Sequence, residues 1–73
     1  MTQEIVEVPI TGKVTQIEVK EGDDVSEGDV LCMIESMKME NPVLSPVSGK
    51  VSGINISVGQ TAEAGDTLAT IEY

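Results

Sequence analysis

The sequence has no histidine, arginine, phenylalanine or tryptophan, and only one cysteine among its 73 residues. Without histidine, catalysis by a Ser-His-Asp or Cys-His arrangement and zinc sites with histidine ligands are excluded. A lone cysteine forms no internal disulfide, so we expect a reducing compartment such as the cytoplasm. The only aromatic residue is Tyr73, which leaves no platform for stacking nucleic-acid bases.

Positive charge is also scarce. The chain has four lysines and 13 acidic residues, so its formal net charge is −9. Such a chain repels phosphate backbones and anionic lipids, so we expect neither nucleic acid nor membrane as a partner. No apolar run approaches the ~20 residues of a membrane span, and there is no signal-peptide pattern. We expect one domain over residues 1–73.

The apolar residues that are present favour strands. Ten valines and seven isoleucines stand against three leucines and three alanines. Side chains branched at Cβ are stiff and pack well on a pleated surface, whereas helices favour leucine and alanine. The composition therefore predicts an all-β fold.

The chain repeats itself at an offset of 37 residues, without a gap. Pro9, Gly12 and Lys13 recur as Pro46, Gly49 and Lys50, and 11 of the 27 aligned pairs from position 9 to 35 are identical. Two copies are too few for a solenoid. We therefore expect two similar halves that close on each other about a pseudo-twofold axis, as a flattened barrel or two-sheet sandwich.

Each half predicts four short strands separated by glycine turns. Cys32 and Ile34 are expected in the core, and the turn glycines are expected to relieve tight bends. The expected strands are 5–8, 12–19, 24–25, 30–35, 39–44, 49–56, a short piece near 61, and 67–72; the turn glycines are Gly22, Gly28, Gly59 and Gly65.

One segment lies outside the repeat and breaks a local rule. The chain must reverse between residues 36 and 40, yet it offers no Asn-Gly, Asp-Gly or other glycine for a tight hairpin. Instead Lys38 lies between Met37 and Met39, which either pack on one side of the strands or form an adaptable surface for a partner.

The run ESMKME at 35–40 resembles the biotin-attachment motif of the biotinyl domain family, the carrier domains of biotin-dependent carboxylases and decarboxylases. The resemblance covers nearly the whole chain and implies two four-stranded antiparallel sheets, with the lysine on an exposed hairpin. It implies that Lys38 carries covalent biotin, that Met37 and Met39 are the flanks of the motif, and that a ligase recognises Glu35, Ser36 and Glu40. Ser36 stands where the family most often has alanine.

The resemblance also implies partners and a mechanism. A lysine amine is almost fully protonated at pH 7, so a biotin protein ligase must supply an activated biotinyl group. The biotin arm then carries CO₂ from a biotin carboxylase to a carboxyltransferase, as in acyl-CoA carboxylases. For the domain itself, the resemblance implies a monomer that has no catalytic residues, and we expect no metal site.

Three alternatives stay open. A lipoyl domain shares the fold and the hairpin lysine, although its lysine typically lies in Asp-Lys-Ala rather than Met-Lys-Met. An unmodified binding module would use the methionines to hold a peptide. An enzyme in its own right would have only Lys, Asp, Glu and Ser as reactive groups.

Overall fold

The computed structural model describes residues 2–73, which form eight β-strands and, over that range, no helix. None of the described residues belongs to a helix that could cross a membrane. The strands are β1 (Gln3–Glu7), β2 (Gly12–Ile17), β3 (Asp24–Val25), β4 (Val30–Ser36), β5 (Met39–Leu44), β6 (Gly49–Ile54), β7 (Thr61–Ala62) and β8 (Thr67–Glu72).

The strands form two four-stranded sheets, ordered β5-β4-β2-β7 and β1-β8-β6-β3, and every pair is antiparallel. We call the first the hairpin sheet, because β4 and β5 are joined by the lysine turn, and the second the terminal sheet. Adding 37 to the residue numbers of β1, β2, β3 and β4 gives β5, β6, β7 and β8 to within one residue at each end, and this shift converts the strand order of one sheet into that of the other. The predicted fold with its internal repeat is confirmed.

The repeat extends to strand register. Lys13 pairs with Glu35 and Val14 with Ile34, and 37 residues later Lys50 pairs with Glu72 and Val51 with Ile71. Both ladders shift register at the next residue, where the hydroxyls of Thr15 and Ser52 donate to the carbonyls of Met33 and Thr70. The two halves thus carry the same β-bulge.

The core lies between the sheets and is almost entirely apolar. Cys32 and Ile34 are fully buried, as predicted. Leu31 is buried as well, because a register shift between Val30 and Cys32 turns two successive side chains inward. The buried apolar residues are Val6, Val8, Val14, Val25, Leu31, Cys32, Ile34, Val43, Val51, Ile56, Ala62, Leu68, Ala69 and Ile71.

The predicted strand ends were wrong by about two residues in three strands. β2 and β6 end at Ile17 and Ile54 rather than at 19 and 56. After Ile17 the chain leaves the hairpin sheet and crosses to the terminal sheet, where the Gly22 amide donates to the Val51 carbonyl. β1 is displaced toward the N-terminus, to Gln3–Glu7, because it pairs with β8 as far as Glu72.

The four glycine turns share one design. In the first, Gly22 has φ 96° and the Asp23 carboxylate accepts a hydrogen bond from the Lys20 amide over 3.0 Å. Gly28, Gly59 and Gly65 have φ values between 93° and 95°, which confirms the predicted tight turns.

Candidate functional site

The lysine lies in the shortest connection between any two consecutive strands of residues 2–73. Ser36 pairs with Met39, so only Met37 and Lys38 connect β4 to β5. Both have positive φ, 54° for Met37 and 66° for Lys38, which is the pattern of a type I′ hairpin. Side chains with a Cβ are disfavoured there by about 1 to 2 kcal/mol per residue. The turn that lacked a glycine in the sequence is therefore a strained one.

This turn presents its side chains to solvent. Met37 is 90% exposed and Met39 68% exposed, although both are large and apolar. The idea that the two methionines pack on one side of the strands is thus wrong, because Met37 belongs to the turn and neither joins the core. Lys38 is exposed too, and none of the side-chain hydrogen bonds among residues 2–73 involves it. An incoming enzyme has free access to the amine.

Asn41 holds the hairpin together below the turn. Its Nδ2 donates to the Ile34 carbonyl across the ladder, over 3.3 Å, and to the Met39 carbonyl over 3.2 Å. One amide therefore ties both strands close to the strained turn. Asn41 was not predicted from the sequence. The only signal was that Glu4 occupies the equivalent position of the other half, so the amide is specific to the lysine hairpin.

Gly12 brings β2 against the base of the hairpin. A Cβ at this position would lie 2.7 Å from Ile34 Cγ2 and even nearer to the Glu35 carbonyl oxygen. Gly49 makes the same close approach to Ile71 and Glu72. The repeated Pro-x-x-Gly pattern thus has a packing cause, since only glycine lets β2 approach the last core residues before the turn.

The charges beside the turn do not balance. Glu35 and Glu40 are cross-strand partners and both are exposed. Like charges in this arrangement repel each other. At the equivalent pair of the other half, Gln3 faces Glu72 and donates a hydrogen bond to its carboxylate over 3.2 Å. In both halves a lysine of the adjacent strand also pairs with the glutamate, as Lys13 does with Glu35, so the base of the lysine hairpin carries one more negative charge than its counterpart.

The remaining predicted residues fall in two places. Ser36 is half-buried and closes the ladder opposite Met39, one residue before the turn. Cys32 lies in the core, away from the turn, and burial raises the pKa of its thiol from 9.0 to about 11. A neutral, buried thiol is a poor nucleophile, so Cys32 is a packing residue.

Comparison with known proteins identifies the family. The family model for "biotin-requiring enzyme" matches residues 4–71, and the chain belongs to this family of biotin carrier domains, which have no catalytic role. A biotinylated protein from Mycobacterium leprae, the TB7.3 homolog, is 50% identical over 42 residues, which are 58% of this chain and 59% of that protein. The gamma subunit of glutaconyl-CoA decarboxylase from Acidaminococcus fermentans is 46% identical over 39 residues, or 53% of this chain and 27% of the subunit.

The fold comparison agrees. The urea carboxylase of Kluyveromyces lactis contains a region that superimposes on 99% of this chain with a TM-score of 0.91 and 36% identity, and this region is 6% of that enzyme. The aligned segments thus span between about a twentieth and three fifths of the relatives' own lengths.

Proposed function

We propose that this chain is a biotin carboxyl carrier whose Lys38 is acylated by a biotin protein ligase. The observation that carries the proposal is the geometry of the turn, with Lys38 exposed in a two-residue hairpin between Met37 and Met39. The biotinylated TB7.3 relative and the decarboxylase subunit support biotin as the group attached.

The residues fit a group that is tethered rather than enclosed. Residues 2–73 contain no pocket for a ligand, so the chain offers the Lys38 amine and nothing that would surround biotin. Bound biotin supplies a ureido group that takes up and releases CO₂. The chain contributes a compact body that brings the Lys38 tether to a biotin carboxylase and then to a carboxyltransferase, raising the effective concentration at each site.

The chain also fixes where the ligase acts. The body is 37 Å long and 16 to 18 Å wide, and the narrow type I′ turn projects its lysine beyond the paired strands. We propose that Met37 and Met39 contact the ligase together with Glu35, Ser36 and Glu40, since these residues immediately surround the amine. A lipoyl carrier remains the second candidate, because it would use the same turn.

Coexpression with a biotin protein ligase tests the proposal. The expected result is a mass increase of roughly 226 Da, one biotinyl amide, in the wild-type chain and none in Lys38→Arg. Lys50→Arg is the matched control and should still be modified. The smaller increase of a lipoyl group, or no increase in the wild type, would contradict the proposal.

A second variant pair separates recognition from folding. Met37→Leu and Met39→Leu conserve volume at exposed positions, so the free energy of unfolding should change by less than about 1.5 kcal/mol. If the methionines serve recognition, the rate of biotinylation should fall while stability is kept. An unchanged rate of biotinylation in both folded variants would contradict a role of the methionines in recognition.

A further inference from the structure

The outer surface of the hairpin sheet carries an apolar ladder that leads up to the lysine turn. Four residues of β4 and β5 point away from the core, in two cross-strand pairs: Val30 with Leu44, and Met33 with Pro42. Val30 is 37% exposed and Leu44 50% exposed. The next outward pair along the same ladder is Glu35 with Glu40, followed by the turn. We call these four apolar residues the outer ladder.

The internal repeat provides a control for this surface. In the terminal sheet, Thr67 pairs with Glu7 and Thr70 with Ile5, at the positions equivalent to those of the outer ladder. The backbone register is identical, yet three of the four side chains are polar. The fold therefore does not require apolar residues at these positions, and the hairpin sheet has a continuous set of four apolar side chains where the terminal sheet has Ile5 alone.

We propose that the outer ladder is the docking surface for the biotin protein ligase. This inference rests on the proposed function and names the part of the sheet that the ligase holds. The ligase must bring its activated biotinyl group to about 3 to 3.5 Å from the Lys38 amine, which is only one side chain away from the backbone. The ligase therefore lies against the hairpin, and the outer ladder is the apolar surface that continues from it.

Charge supports the same occupant. Glu35 and Glu40 separate the outer ladder from the turn, Lys13 of β2 flanks Glu35 but not Glu40, and the chain as a whole carries a net charge of −9. A ligase surface that fits here has an apolar centre and lysines or arginines at its edge, opposite the two carboxylates. An enzyme that acts on attached biotin meets it at the end of the tether, whereas the ligase must reach the Lys38 amine itself.

The test exchanges outer-ladder residues for their repeat equivalents. The variant Val30→Thr, Met33→Thr, Leu44→Glu is compared with the wild type in steady-state biotinylation by a purified ligase that modifies the wild-type chain. The expected result is a fall of roughly tenfold or more in kcat/KM, mainly through a higher KM. Leu44→Thr, a neutral change at a half-exposed site, should show a smaller fall in the same direction, which keeps the test decisive if the triple variant does not fold.

The matched control alters the terminal sheet in the opposite sense. Glu7→Leu, Thr67→Val, Thr70→Met should leave kcat/KM within about twofold of the wild type. Unchanged kcat/KM in folded Leu44→Thr and triple variants would overturn the docking surface while leaving the proposed function intact. A wild-type chain that no ligase modifies would overturn the proposed function itself. Wild-type dimers that Leu44→Thr converts to monomers, with unaltered ligase kinetics, would assign the surface to self-association and contradict the inference.

Discussion

The side-chain amide of Asn41 donates a hydrogen bond to the Ile34 carbonyl, 3.3 Å away, and so joins the two strands just below the lysine turn. The same amide also donates to the Met39 carbonyl of its own strand, β5, so its two hydrogen bonds reach both strands of the hairpin. Because Met37 and Lys38 both have unfavourable positive φ values, the turn needs support from the strands beneath it. Asn41 is the residue that supplies this support from a side chain.

Asn41→Ala should therefore loosen the hairpin locally. We expect the free energy of unfolding to fall by about 1 kcal/mol, the usual contribution of such hydrogen bonds. The amides of Met37, Lys38 and Met39 should exchange with deuterium faster than in the wild type. Hydrogen exchange followed by mass spectrometry measures this, with Asn55→Ala, an exposed position away from the turn, as the control. Unchanged protection of the hairpin would show that the amide is dispensable.

Relief of strain in the turn should make the protein more stable. Met37→Gly removes a Cβ from a residue with φ 54° and should raise the free energy of unfolding by about 1 kcal/mol. Val58→Gly is the control, because Val58 is an exposed turn residue without positive φ, and there glycine should destabilise. Chemical denaturation of both variants checks the pair. A destabilised Met37→Gly would mean that the Met37 side chain contributes more than the strain costs.

The close approach of β2 to the hairpin predicts a graded series of glycine substitutions. Gly12→Ala and Gly49→Ala should each lower stability by about 1 to 3 kcal/mol, since the new methyl group meets backbone as well as a core isoleucine. Gly53→Ala is the matched control, because nothing lies within 4 Å of its added Cβ. Thermal unfolding should rank Gly53→Ala closest to the wild type. A tolerated Gly12→Ala would contradict the packing described for the base of the hairpin.

Burial of the Cys32 thiol predicts a loss of stability at high pH. Its pKa is about 11 in the folded chain and near 9.0 when the chain unfolds, so the unfolded state loses its proton first as the pH rises. The contribution of the neutral thiol is complete below pH 9 and disappears as the pH approaches 11. Cys32→Ala, which installs the residue found at the equivalent position 69, should lack this component. Identical pH profiles for the two proteins would argue against the raised pKa.

The architecture could be predicted well from the sequence because the internal repeat gives two independent patterns for each predicted strand and turn. Equivalent glycines, the Val-Ile alternation and the Pro-x-x-Gly pattern each occur at an offset of 37, so each element in one half supports its counterpart in the other. The strand ends after Ile17 and Ile54 were missed because the chain leaves one sheet for the other there. Alternation of apolar residues continues through that crossing and does not mark it.

The role of the predicted site residues stays a prediction, and the conformation that the structure gives them was not predictable from the sequence. The chain reversal required outside the repeat, at 36–40, indicated a hairpin, but neither Met nor Lys favours positive φ, so no local preference gave the type I′ turn. Asn41 can support the turn because strand pairing places it opposite Ile34. Gly12 is needed because β2 passes close to the Glu35 carbonyl. Both relationships depend on how the strands pair, which a single sequence does not state.

We propose that one lysine of four, the one in the strained turn, accepts biotin. Peptide mapping by tandem mass spectrometry after modification by a biotin protein ligase tests this directly, because Lys13, Lys20 and Lys50 are internal controls in the same molecule. We predict that all biotin is found on Lys38. Biotin on any other lysine, or spread over several, would contradict the account.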